Sequence, residues 1–300
     1  EGGAYATFRR NEASGVAPLR FFDDTPRNRA FFHGLYSWLI TRDGQGGLAP
    51  NEDRRLARGI ARQLKMPKHL RSMHGVREFL GYSDPVRGAG ARFERWCAGG
   101  SMGWLLDGDV HLVDLDPSKA RLYGFDFSAL LPKEGENDDG ACQAAAAVIA
   151  HQLGDYIDGR RIMFICEEAR FYLEPLAKLI DDLTLTGRKN ELMVTLVAQQ
   201  PEHFLDAPIG LSLMAQCRTK LFFPSKSADR DTYLNRVGIS PKAFEQLSHG
   251  MFVGNAGRRF LLWRGEDESA ICEFDLSAMP DEVAIMSARA RTNHLLDQIK

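Results

Sequence analysis

The stretch 160-RRIMFICEEARFYLEP-175 decides the fold. From Ile162 to Cys166 it is an unbroken apolar run, which ends abruptly in Glu167 and Glu168 before an amphipathic pattern takes over. A continuously apolar strand is predicted to be buried on both faces, as in a parallel sheet. Glutamate is disfavoured within strands and costly to bury without a partner. The two acids therefore belong just past the strand, at the carboxyl end where open α/β sheets bind ligands.

The pattern repeats outward from this strand. Upstream, 140-GACQAAAAVIAHQLGDYI-157 is rich in alanine and predicts a helix. Downstream, ARFYLEPLAKLIDDLTLTG predicts another, with Leu176, Leu179, Ile180 and Leu183 on one face. Residues 191-ELMVTLVAQQ-200 and 217-CRTKLFFP-224 read as further buried strands, and 109-DVHLVDL-115 and 121-RLYGFDF-127 as earlier ones. The segments 250-GMFVGNAGRRFLLWR-264 and 269-SAICEFDLS-277 suggest antiparallel strands, followed by a helix to Lys300. Strand–helix–strand alternation of this kind predicts an α/β fold with a mostly parallel central sheet.

Residues 1–24 read as irregular, and residues 25–98 read as a helical subdomain. Thr25 followed by Pro26 is a helix start. Phe31, Leu35, Trp38 and Leu39 then keep helical spacing. Pro50 opens a second helix carrying Leu56, Ile60 and Leu64. A shorter helix follows in 86-VRGAGARFERWCAGGSMG-103, whose glycines from Gly99 to Gly103 suggest a hinge into the remaining residues, 99–300. The stretch 132-PKEGENDDG-140 is a polar loop.

The 300 residues are 44% hydrophobic and 26% charged, with a net charge of -2, which gives no global electrostatic case for nucleic acid or an anionic membrane. Local patches stay open. Five scattered cysteines without C-x-x-C suggest reduced thiols in a cytosolic setting. No apolar run approaches the ~20 residues of a membrane helix. The chain begins at Glu1, so it is expected to be a piece of a longer protein.

A strand that ends in two acids has the form of a Walker B element. There the first acid, here Glu167, holds Mg²⁺, usually through water, and the second, Glu168, orients or deprotonates the attacking water. The alternative is a helix N-terminus that the dipole makes hospitable to Glu. Gln199, at the end of the next strand, could sense a γ-phosphate, because an amide donates and accepts at once. The alternative there is a turn before a helix that starts at Pro201. Arg188 in TGRKNE, and Arg258 and Arg259 in GRRFLL, are either solvated surface or candidates for a cation acting across a subunit interface. G-x-x-x-x-G-K-[ST] does not occur in the chain, so any phosphate cradle is expected before residue 1.

The ordered series EEARFYL, GRKNE, LVAQQPEHF, CRTKLFFPS, GRRFLLWRGEDESAICEFDLS and IMSAR, with GGAYATF and GFDFSALL upstream, resembles the C-terminal part of the type IV secretion ATPases of the conjugal-transfer (CagE/TrbE) family. These are relatives of FtsK/HerA-type motors. The resemblance covers essentially the whole chain. It implies a RecA-like P-loop NTPase core with a helical subdomain, its P-loop segment missing from this chain. It further implies ATP and Mg²⁺ as cofactors and a homo-oligomer, a hexamer, at the cytoplasmic side of the bacterial inner membrane. Other secretion components would be its partners, and DNA or protein its substrate. In that comparison Glu167 stands where Asp is usual, Glu168 takes the position of the catalytic acid, Gln199 that of the sensor, and Arg188 and Arg259 match later basic positions. The fragment alone is expected to be inactive. Two other readings are a non-catalytic scaffold with an ATPase-like fold and a HerA-like DNA translocase.

Overall fold

The computed structural model describes residues 3–42, 46–81, 87–132, 135, 137–173, 177–252, 258–265, 268–280 and 282–283. The chain divides into two compact units, Glu1–Val197 and Ala198–Lys300.

The first unit opens with strand β1 (Ala4–Thr7), inside the stretch expected to be irregular, and the short helix α1 (Pro18–Phe21). Helices α2 (Pro26–Thr41), α3 (Pro50–Leu64), α4 (Met73–Leu80) and α5 (Ala89–Glu94) follow, then the single turn α6 (Gly103–Leu106). The predicted start of α2 forms as read, with Asn28 N donating to Thr25 Oγ1 at 3.1 Å. Its buried face is Phe32, Leu35, Tyr36, Leu39 and Ile40. Phe31 and Trp38, expected there, sit at the margins, Phe31 stacked on His151 and Trp38 beneath the Arg42 guanidinium. Leu56, Ile60 and Leu64 of α3 are buried as expected and pack with Met73, Val76 and Leu80 of α4.

The glycines after α5 do not make a hinge. A Cβ on Gly103 would lie 2.1 Å from the Cys97 carbonyl oxygen, and one on Gly100 2.5 Å from that of Glu94. Close backbone approach, not mobility, calls for glycine there. Asp107 locks the turn by accepting from Ala98 N and Met73 N, both at 2.8 Å.

Strand β2 (Tyr123–Asp126) pairs in parallel with β1, Ala4 opposite Tyr123. Residues 109–115, predicted as a strand, join no ladder. Their polar groups are held by the segment before α1 instead, Leu112 N donating to Gly15 O at 2.7 Å and His111 Nδ1 accepting from Ala17 N at 2.9 Å. Then come α7 (Ala141–Leu153), the deciding strand β3 (Ile162–Cys166), α8 (Ala177–Gly187) and β4 (Leu192–Leu196). β3 and β4 are parallel and in register, Ile162 opposite Leu192 and Cys166 opposite Leu196. Full burial on both faces does not hold. Met163, Ile165 and Met193 are exposed, while Ile162, Phe164 and Cys166 are half-buried. This is a two-stranded sheet with α8 packed beside β4, so the burial alternates along the strand.

The second unit carries α9 (Glu202–Leu205), α10 (Gly210–Gln216), β5 (Lys220–Phe222), α11 (Pro241–Ser248), β6 (Arg258–Trp263) and β7 (Ser269–Phe274). β6 and β7 pair antiparallel as expected, but β5 joins them antiparallel too, rather than extending the parallel pair. Its core gathers Tyr233, Val237, Ile239, Phe244, Leu247 and Leu261. The predicted C-terminal helix lies mostly outside the described residues.

Candidate nucleotide site

β3 ends where the sequence predicts, and the backbone then turns across the end of its partner. Val197 N donates to Cys166 O and Ala169 N donates to Val197 O, each at 2.9 Å. Between these two bonds stand Glu167 and Glu168. Glu168 is left-handed, with φ of 50°, and its carbonyl accepts from Phe171 N at 3.1 Å in the turn Ala169–Phe171. Glu167 is exposed and Glu168 half-buried. The turn thus presents two carboxylates beyond the strand's carboxyl end, and the helix N-terminus reading fails: a short 3₁₀ turn follows, and α8 starts only at Ala177.

Arg170 is the partner that sequence reasoning missed. Its Nε lies 3.5 Å from Glu168 Oε2, and its guanidinium covers the Phe171 ring at 4.5 Å. The only signal for it was a cation two residues from an acid, a spacing that means little until the turn folds. Behind the acids the wall is buried and neutral. Cys142 Sγ lies 3.3 Å from the Tyr172 hydroxyl. Burial pushes the Cys142 thiol up to about 11 and Cys166 up to about 12, and raises the Tyr172 hydroxyl further still. These groups stay protonated at neutral pH and offer no thiolate to a metal.

Gln199 is exposed, two residues beyond Val197, at the start of the second unit. The turn expected as its alternative is present: His203 N donates to Gln200 O, and Leu205 N to Pro201 O, leading into α9. Arg188 begins the 3₁₀ turn Arg188–Asn190 between α8 and β4; its side chain lies outside the described residues, as does that of Arg258. Arg259 Nε meets Glu273 Oε2 at 3.0 Å, directly across the β6–β7 ladder. A half-exposed cross-strand pair of this kind is worth about 0.2–1 kcal/mol.

Among the described residues no group of three or more His, Cys, Asp or Glu could hold a metal by itself. Glu167 and Glu168 nevertheless supply hard oxygen donors. Mg²⁺ takes one or two carboxylates together with water and substrate phosphates, so the pair fits one side of a Mg²⁺–nucleotide site. The phosphate-gripping motif of such a site is not in these 300 residues. No described helix is long and apolar enough to cross a membrane.

Parallel strand pairs, an intervening helix and acids at a strand's carboxyl end define an α/β domain of the RecA-like kind. That fold is shared by VirB4 of Thermoanaerobacter pseudethanolicus, with a TM-score of 0.67 at 17% identity over 91% of this chain and 76% of that one. It is shared too by the plasmid coupling protein TrwB solved with ADP and Mg²⁺, with a TM-score of 0.53 at 14% identity over 90% and 74%. In sequence, the chain is homologous along its whole length to the VirB4 proteins of type IV secretion systems. It is 45% identical over 301 residues to VirB4 of Agrobacterium fabrum, and 27% identical over 300 residues to the type IV secretion system protein VirB4 of Bartonella quintana. These matches cover 100% and 99% of this chain but 37% of either relative, so the chain spans little more than a third of their length. No family model matches it.

Proposed function

We propose that this chain is the acid-bearing part of the ATPase of a type IV secretion system, hydrolysing ATP to drive channel assembly or the transfer of DNA or protein. The observation that carries the proposal is the turn after β3, which sets Glu167 and Glu168 at the carboxyl end of a strand paired in parallel, in a chain homologous to VirB4. Glu168 accepts the proton of the attacking water or orients it; a general base of this kind contributes ~10²–10⁴-fold. Glu167 holds the water shell of the cation, one methylene further out than the usual Asp would. Gln199 senses the terminal phosphate, and Arg188 and Arg259 contribute positive charge, Arg259 only after leaving Glu273. Bound Mg²⁺ would neutralise the developing charge on the phosphates. The helices within 25–98 form a subdomain set between residues 1–24 and the core at 99–300. The working form is a hexamer bound at the cytoplasmic side of the bacterial inner membrane beside other secretion components.

Mg²⁺ titration of ATP turnover by the full-length protein tests these assignments. Glu167→Ala should raise the Mg²⁺ needed for half-maximal rate by about tenfold, the low end for lost metal-supporting groups. Gln199→Ala should lower kcat while leaving ATP affinity unchanged. An unaltered Mg²⁺ dependence in the first variant, or an unaltered kcat in the second, removes that residue from its role.

A further inference from the structure

Helix α3 carries a file of cations that the nucleotide site does not use. Residues 50–77 hold eight Lys and Arg against two acids, in a chain whose net charge is -2. Arg54, Arg58 and Arg62 recur every fourth residue, and Lys65 falls on the same side one turn later; all four are exposed. At 1.5 Å per residue the file is ~16 Å long with ~6 Å between arginines.

The two acids of the segment are spent elsewhere. Glu52 accepts from Ala49 N at 3.0 Å and Ala89 N at 3.1 Å. Asp53 meets His33 at 3.0 Å. Asp24, the acid felt by Lys65, is already paired with Arg29. Among the described residues no carboxylate comes within ion-pair distance of Arg54, Arg58 or Arg62.

The opposite face of α3 is locked. Leu56, Ile60 and Leu64 are at most 1% exposed, and a Cβ on Gly59 would stand 3.0 Å from the Val76 carbonyl oxygen. The helix is therefore a rigid rail that cannot roll. That argues against a lipid surface, which a basic amphipathic helix engages by sinking its apolar face between headgroups. Between the arginines stand only Ala57, Arg55, Gly59, Ile60 and Ala61 alongside buried Leu56, with no exposed aromatic ring on which a base could stack. What remains is guanidinium chemistry suited to phosphate oxygens.

We propose that the outer face of α3 is a docking surface for the sugar–phosphate backbone of DNA, bound without reading its sequence. The ~16 Å rail spans about five phosphates of one strand at ~3.4 Å per nucleotide. The surface stands whether or not the chain hydrolyses ATP.

The test is fluorescence anisotropy of the full-length protein with labelled single-stranded and duplex DNA of about 30 nucleotides, between about 50 and 200 mM salt. The triple variant Arg54→Gln/Arg58→Gln/Arg62→Gln should flatten the plot of log affinity against log salt by about 2–3 units of slope. The triple lysine variant should keep most of that slope, and Ala57→Glu, which sets a carboxylate amid the file without touching the core, should weaken binding in the same direction. Equal affinity and slope in wild type, the glutamine triple and Ala57→Glu would overturn the proposal. So would absence of wild-type DNA binding at low salt, or a glutamine triple that loses only its sedimentation with anionic vesicles.

Discussion

Glu168 holds a left-handed backbone that costs a side chain with a Cβ about 1–3 kcal/mol, and such strain gathers at sites where a group must be aimed. The apolar run and the two acids were legible because five apolar residues cannot be followed by paired carboxylates inside a sheet. The left-handed turn was not, since nothing in EEAR distinguishes it from the first turn of a helix. His151 shows the opposite use of a titratable group. Burial first, and then the nearby charge of Arg27, lower its imidazole to about 3. Its Nε2 meets Asn28 Oδ1 at 2.8 Å, and the ring lies stacked on Phe31. Because the folded value lies below the ordinary ~6.5, the unfolded chain takes up the proton first, so this stability is complete above ~6.5 and is lost as pH falls toward 3. The melting temperature of wild type should therefore drop more steeply between pH 6.5 and 4.5, taken as rough bounds within that window, than that of His151→Gln. Parallel curves would mean that His151 is not held neutral.

At the scale of elements, the helices were read from spacing, and their start signals hold at Thr25 and Pro50. Phe31 and Trp38 were placed on the core face because spacing gives a period, not the position of the neighbouring helix. The segment 109–115 was misread for a related reason: its alternation suits a strand, but His111 and Leu112 bond to residues 15–17 and no partner strand is offered. β5 could not be oriented from its own residues, since pairing depends on β6, some forty residues away. Arg71 went unread altogether. This buried guanidinium donates to the carbonyls of Leu19 and Phe22 beside α1, of Leu64 at the end of α3, and of Met66, at 2.7–3.0 Å. Arg71→Met keeps the apolar stem and strands those carbonyls, each costing about 1–3 kcal/mol if left dry. Calorimetry should show a loss of at least ~3 kcal/mol. A change below ~1 kcal/mol would show that water reaches these carbonyls instead.

On the scale of the whole molecule, the chain folds as two compact units, the first carrying the acids after β3 and the second opening just before Gln199. The fold class was legible because strand and helix periods alternate over two hundred residues; the unit boundary was not, because no proline- or glycine-rich linker marks it. The ATPase reading comes down to whether the Glu168 carboxylate does chemistry or only fills a turn. Steady-state ATP turnover and ATP binding by the full-length protein with Glu168→Gln decide this, since the amide keeps the size of the side chain and removes its basicity. The account predicts a fall in kcat of ~10²–10⁴ with ATP affinity unchanged. Turnover at the wild-type rate with binding intact would contradict it.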